Sequence, residues 1–249
     1  MINKELIKDF GVIHFSELPD SMLINRVDSK YFFNSNLVET LFDLLKDDYQ
    51  IIDYGHGLIN DYYTIYYDTE DLQFYNAHHN RKNHRLKVRN RTYVNSELNY
   101  FEIKHKINGR TLKDRKRILV SDIDNKLEEF SHTQLDSKGK IEEQIVTKFN
   151  RITFVDKNKS ERVTLDFDLL FNKDNKSKKM GNLIVLELKQ DGINRNSKIF
   201  NILKTLEIRK SKFSKYFVGM NLLNNNLKYN NFKPIELRLK KQNIGVINA

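Results

Sequence analysis

The dipeptide Asn108-Gly109 constrains this chain more tightly than any other feature. It separates two alternating runs, Asn99 to Ile107 and Arg110 to Ile118. Asn-Gly is the strongest short hairpin signal, because a type I′ turn needs positive φ at both central positions. A two-residue loop also fixes the register. Glu102 then lies opposite Arg115 and Lys104 opposite Lys113, on the same face as Lys106. Like charges directly across a ladder destabilise it. The Lys104–Lys113 pair therefore demands an anion between the two ammonium groups, or open water.

The stretch His84 to Val94 repeats the theme. Successive side chains of a strand point to opposite faces, so Arg85, Lys87, Arg89 and Arg91 share one face. Leu86, Val88 and Val94 fall on the other, interrupted by Asn90 and Thr92. At a spacing of roughly 7 Å and an effective dielectric near 20, each neighbouring pair repels by about 2 kcal/mol before salt screening. A surface strand sheds that repulsion into water, so a solvated basic face is the competing reading. Recurrence decides against it. Arg26, Asp28 and Lys30 alternate within Ile24 to Phe33, and Arg162, Thr164, Asp166 and Asp168 alternate within Arg162 to Leu169. Arg151 sits among Phe149, Ile152 and Phe154, and Glu187 and Lys189 share a face of the apolar run Leu183 to Lys189. A carboxylate and an amine in so apolar a strand need a partner.

The helices fix which face looks inward. Helical spacing is expected from an Asn36 N-cap, with Glu39 completing a capping box, to Lys46. Others are expected over Thr69 to His79, Ser121 to Phe130, Ile199 to Leu206 and from Ser211 toward Gly219. His78-His79 is not read as a metal pair, since adjacent helical residues do not face each other. Strands are expected at Tyr62 to Asp68 and Lys148 to Val155, with loops at Leu135 to Lys140 and, rich in lysine, Asn172 to Gly181. Apolar helix stripes need an apolar surface to cover. The expected fold is therefore α+β: a mostly antiparallel eight-stranded β-barrel with an apolar outside under flanking helices and a charged tunnel inside. A dry barrel could not hold so many unpaired cations, so the tunnel holds water and anions.

Charge supports this. The chain carries 43 Lys and Arg against 33 Asp and Glu, a net charge of +10, which favours polyanionic partners. With no cysteine, disulfides and thiolate metal sites are excluded. The charged N-terminus and the lack of a long apolar run lead to the expectation of a cytoplasmic protein without a membrane segment. A single domain over residues 1–249 is expected, its core at about 20–223 and its tail after Asn224 loosely held. Glu187, with Glu102 or Asp166, could hold Mg²⁺ or Mn²⁺ against phosphate oxygens, since such ions take few protein carboxylates. Phosphoryl transfer needs mainly positioning and charge neutralisation, which a basic channel supplies.

The order of these motifs resembles the VTC domain, the polyphosphate polymerase domain of the triphosphate tunnel metalloenzymes (CYTH-like), in its stand-alone bacterial form. The resemblance rests on Arg26-x-Asp28-x-Lys30-Tyr31, Tyr66-Tyr67-Asp68-Thr69, Arg85 to Tyr93, Glu102-Ile103-Lys104, Asn150-Arg151, Arg162 to Asp166, Leu186 to Lys189 and Lys212 to Tyr216. It covers roughly residues 20–223. It implies a tunnel enzyme that moves the γ-phosphate of ATP onto a growing inorganic polyphosphate chain with Mn²⁺ or Mg²⁺. By that resemblance Lys30, Arg89, Arg91, Lys104, Lys113, Arg151 and Arg162 grip phosphate and Glu187 holds the metal. Lys189, Lys212 and Lys215 complete the basic lining, with substrate contacts from Arg26, Lys87 and Arg115. The nucleophile is then a phosphate oxygen of the acceptor. ATP and inorganic polyphosphate are the expected partners and nucleic acid is not, while oligomeric state and a membrane partner stay open. The hydrolytic branch opens with Glu-x-Glu-x-Lys, whereas here Arg26-x-Asp28-x-Lys30 stands in its place. The loss of one carboxylate leans toward the polymerase. The alternatives are a metal-dependent tripolyphosphatase or nucleoside triphosphatase of the same fold, and a non-catalytic polyphosphate- or RNA-binding module. Against RNA, no exposed aromatic stacking platform is legible in the sequence.

Overall fold

The structure, a computed structural model, describes residues 2–19, 26–134, 140–224 and 226–249. In chain order the elements are β1 (Gly11–His14), β2 (Arg26–Asn34), α1 (Val38–Leu45), β3 (Tyr49–Asp53), β4 (Asn60–Thr69) and α2 (Gln73–His79). Then come β5 (Arg85–Tyr93), β6 (Leu98–Ile107), β7 (Arg110–Arg117), α3 (Ile123–Gln134), β8 (Ile141–Asp156) and β9 (Glu161–Lys173). The chain ends with β10 (Lys176–Met180), β11 (Leu183–Asp191), α4 (Lys198–Thr205), α5 (Lys215–Leu223), α6 (Lys233–Lys241) and β12 (Val246–Asn248).

Eight of the strands form one antiparallel curled sheet in the order β2-β11-β9-β8-β4-β5-β6-β7. The expected eight-stranded antiparallel frame with flanking helices is therefore present. Among the described residues β2 and β7 do not pair with each other, so the frame is a half-barrel with one open seam. β10 and β12 extend it beyond β9, and β3 joins β8 with β1 parallel to it. The Asn108-Gly109 turn has φ of 45° and 90°, and Lys104 pairs with Lys113 and Glu102 with Arg115 as the register required.

Alternation sorts the faces. Outward residues Phe33, Phe154, Leu165 and Leu186 pack with Leu41 and Phe42 of α1 and Ile199 and Ile202 of α4. Val88 and Phe101 pack outward with Leu127 and Phe130 of α3. One helix departs from that outside placement. Phe32, Val185 and Ile145, which share the concave face with the charged positions, pack with Phe217 and Met220 of α5. Beyond the charged belt the inner face turns apolar, so a helix fills it. At the crossing, α5 uses Gly219, where an added Cβ would lie 2.4 Å from the Ile145 side chain and 2.6 Å from the Phe171 ring.

Several local expectations are corrected. The helix cap is Asn34, whose Oδ1 accepts the Asn36 N–H at 3.0 Å, so a 3₁₀ turn precedes α1. Asn172 to Gly181 is not a loop: Asp174, at φ 51°, turns the chain back and Lys176 pairs with Lys173. The tail is not loose, because Phe232, Leu239 and Ile244 are buried in the α5 core and β12 pairs with β10. These segments look polar because only a few apolar side chains anchor each. Of the expected loop Leu135 to Lys140, residues 135–139 lie outside the described residues. No described helix is long and apolar enough to cross a membrane.

Gly219→Ala should overpack this crossing and cost about 2 kcal/mol, which for a chain of this size lowers Tm by roughly 4–8 °C. Thermal unfolding checks this, and an unchanged Tm contradicts the tight helix–sheet contact.

Candidate functional site

The concave face encloses a cavity of about 240 Å³. Nine Lys and Arg side chains line it against four carboxylates, a formal excess of five basic groups. Strand alternation puts them there. β5 contributes Lys87, Arg89 and Arg91, and β6 pairs Glu102 with Arg89 and Lys104 with Lys87. On the far wall β11 sets Glu187 beside Lys30 and Lys189 beside Asp28 of β2, an alternating chequer of charge.

Three carboxylates hold this array together. Glu102, 2% exposed, takes Arg89 on one oxygen (Nε at 2.6 Å, Nη2 at 2.5 Å) and Lys113 (2.9 Å) and Arg115 (3.4 Å) on the other. Burial alone would raise its pKa, but Arg89, Arg91 and Lys113 outweigh burial and hold it well below the usual range. Asp166 is gripped bidentately by Arg151 (2.5 and 2.8 Å) and also by Lys215 from the first turn of α5. Burial opposes its ionisation too, and Arg151 and Lys215 override it. Glu187 pairs with Lys189 and, at 3.7 Å, with Lys30. Such charge-assisted pairs are the strong ones, and their Arg members are pre-organised by the planar fork.

Not every cation is compensated. Arg91 donates to Thr64 Oγ1 at 3.2 Å and makes no ion pair among the described residues. Its guanidinium lies 5.4 Å from the Tyr62 ring centre. Lys104, crowded by Arg89 and then by burial, is pushed down to about 6. Lys87, whose Nζ donates to Ser214 Oγ at 3.1 Å, is pushed down to about 7 by burial and by Lys30. The field at these two amines is what an incoming polyanion would neutralise.

Of the residues singled out by sequence, Lys30, Lys87, Arg89, Arg91, Lys104, Lys113, Arg151, Lys189, Lys215 and Glu187 meet in this cavity. Arg115 and Arg162 instead line a second cavity of about 430 Å³, which shares Tyr93, Arg151 and Lys189 with the first. Lys212 is exposed and lines neither. Arg26 opens β2, but its side chain lies outside the described residues. Sequence reasoning gave Ser214 and Tyr66 no role, although both lie in segments that carry the family resemblance. It also gave Asp28 no role, although the Arg26-x-Asp28-x-Lys30 alternation places Asp28 on the Lys30 face.

Next to the cavity, the fully buried Asp68 ties three elements together. It accepts the N–H groups of Thr69 (2.8 Å), Phe74 (2.8 Å) and Tyr75 (2.7 Å) at the start of α2, and the Tyr216 hydroxyl of α5 at 2.5 Å. Burial raises its pKa against these four bonds. Tyr216 follows Lys215, so this tie fixes the root of a cavity lysine.

No group of three or more His, Cys, Asp or Glu suited to a metal ion occurs among the described residues. The described residues therefore build no all-protein cage. The donor set does suit a divalent ion arriving with phosphate, because Glu187 and its diagonal neighbour Asp28 offer one or two oxygens and such ions take the rest from phosphate and water.

Glu102→Gln should strip the charge facing Arg89, Lys113 and Arg115 and destabilise the ligand-free protein by roughly 3 kcal/mol. Tripolyphosphate should narrow that gap by supplying the missing negative charge. Chemical denaturation with and without tripolyphosphate reads both effects, and a loss that the anion leaves untouched contradicts the charge-compensation role.

No curated protein matches the chain in sequence. Among solved structures, HpAC1 of Hippeastrum, described as a candidate adenylyl cyclase with a dominant triphosphatase activity, aligns with a TM-score of 0.52 at 13% identity. That alignment covers 80% of this chain and 97% of the other. A protein of Bacillus halodurans described as a candidate adenylate cyclase gives 0.51 at 13% identity, over 77% and 96%. These likenesses show a common fold. Residues 25–224 match the VTC domain. With the whole eight-stranded frame inside that span, the chain belongs to the VTC domain family.

Proposed function

We propose that this protein moves the γ-phosphate of ATP onto the end of a growing inorganic polyphosphate chain. The observation that carries this reading is the formal excess of five basic groups in a cavity of about 240 Å³, which suits a run of phosphates. In the reaction a terminal oxygen of the acceptor chain attacks the γ-phosphorus, the bond to the bridging oxygen breaks, and ADP leaves. Little covalent chemistry falls to the protein. Its part is to hold donor and acceptor in line and to neutralise charge that shifts among phosphate oxygens.

Arg89 and Arg151, fixed by Glu102 and Asp166, are the rigid members of that cradle. Arg91, which makes no ion pair among the described residues, is free to turn its charge to phosphate, and Lys104 regains its proton as phosphate arrives. Lys30, Lys113, Lys189 and Lys215 exchange their carboxylate partners for phosphate oxygens as the chain enters, and Lys87 exchanges the Ser214 hydroxyl. Glu187, with Asp28, would hold a divalent ion, Mn²⁺ or Mg²⁺, that neutralises the β- and γ-phosphate oxygens. Arg162 and Arg115 contact phosphates nearer the second cavity. Hydrolysis is the second reading, favoured by the triphosphatase activity described for the Hippeastrum protein. Against it, Glu102, Asp166 and Glu187 are each engaged by cations and held below their usual range. A carboxylate in that state is a weak base for activating water.

Incubation with ATP and Mn²⁺ should yield chains long enough to resolve on a gel, and free phosphate without chains overturns the proposal. Arg91→Ala should lower kcat by a factor of about 100, the size expected for removing one donor aimed at developing charge.

The depressed lysines set a pH dependence. Their charged forms are disfavoured in the empty fold but not in the unfolded chain. Their cost to stability is therefore full below about pH 6 and is relieved as pH rises toward the ordinary lysine value. Bound phosphate reverses the preference. Burial also pushes Lys215 down to about 7, so tripolyphosphate binding at pH 8 should take up about two to three protons and weaken as pH rises, because all three amines must be recharged. Calorimetry in buffers of different ionisation enthalpy checks the count, and zero uptake contradicts it.

A further inference from the structure

The two adjoining cavities differ in chemistry, and the difference points to a division of labour. The inner one is lined mostly by charged groups. The larger outer one is rimmed by aromatic side chains, among them Phe15 and Tyr54. Parallel pairing sets His14 of β1 beside Asp53 of β3, so the next residues, Phe15 and Tyr54, emerge side by side. Their ring centres are 5.1 Å apart, inclined at 32°. Phe15 is 49% exposed, an unusual state for a phenyl ring.

That exposure is not looseness. The turn carrying Phe15 is closed at both ends, with the His14 N–H donating to Glu17 Oε1 at 2.7 Å and the Ser16 N–H donating to His14 Nδ1 at 3.4 Å. Lys159 pins it further by donating to the Glu17 carbonyl at 3.0 Å. A half-bare ring on a fixed turn, over a cavity of about 430 Å³, is a platform for a flat partner. By contrast, of the three rings that line the inner cavity Tyr66 and Phe213 are buried, and Tyr93 is half-buried and shared with the outer one.

We infer that the nucleobase of the nucleoside triphosphate donor stacks on Phe15 and Tyr54, while its phosphates pass Arg162 and Arg115 toward Arg151 and Lys189, which both cavities share. The inference rests on the nucleotide-donor reading above and adds to it the site that tells a nucleotide from a bare phosphate chain. Phe15 lies outside the residues matched by the family, so the N-terminal segment of this chain supplies one of the two rings, and Tyr54 within the match supplies the other.

The test compares ATP with inorganic tripolyphosphate, in Mn²⁺, on the full chain. Phe15→Ala should weaken ATP binding about tenfold, the order expected for one stacked base, and leave tripolyphosphate binding as it was. The chain has no tryptophan, so Phe15→Trp installs a single indole. ATP should quench its fluorescence and tripolyphosphate should not. Equal losses for both ligands in Phe15→Ala, no loss for either, or an indole blind to bound ATP overturns this inference alone. A wild-type protein that binds tripolyphosphate but not ATP, or binds neither, overturns the donor reading and this inference with it.

Discussion

Mutual repulsion among buried cations is the constraint on which the rest of the structure depends. Like charges a few ångströms apart in a low-dielectric wall would force a sheet open. Here Glu102, Asp166 and Glu187 sit between them, each engaged by two or more cations. The three lie on different strands, β6, β9 and β11, so the compensation is spread around the half-barrel. It is also incomplete. The carboxylates are enough to keep the empty site folded and too few to neutralise it, which leaves a standing attraction for polyanions.

The legible part of this architecture was whatever depends on period two. Alternation in β5, β9 and β11 placed the charged faces, and Asn108-Gly109 set the register that brings Glu102 and Lys104 to one wall. The ten residues singled out from the sequence that meet in the cavity all belong to such strands, except Lys215. What failed was local order held by tertiary contact. The segment after Asn224 reads as polar, yet Phe232 and Leu239 anchor it, and nothing local announces that their partners are Phe217 and Phe32. The Lys176 to Met180 strand has lysine at three of its five positions and is a strand because β9 and β12 flank it. Counter-charges were the hardest to assign, since the pairing of Arg151 with Asp166 and Lys215 joins residues far apart in the chain.

The half-barrel also shows how one fold can vary what it binds. The charged cavity is built from strands inside the family span, whereas the rim of the outer cavity borrows Phe15 from a short segment before it. On the proposed reading, Phe15 adds from outside that span a contact with what the phosphate is attached to, beside Tyr54 within it.

Asp68 gives the site its mechanical character. Because Tyr216 is bonded to that carboxylate and Lys215 is the adjoining residue, α5 is a moored post with a lysine at its tip. The amine rests on Asp166, while the helix root that carries it is tied to Asp68. The span between Lys215 and the opposite wall is therefore a fixed gauge. On the proposed reading, a polyanion would have to match that gauge with the spacing of its own charges.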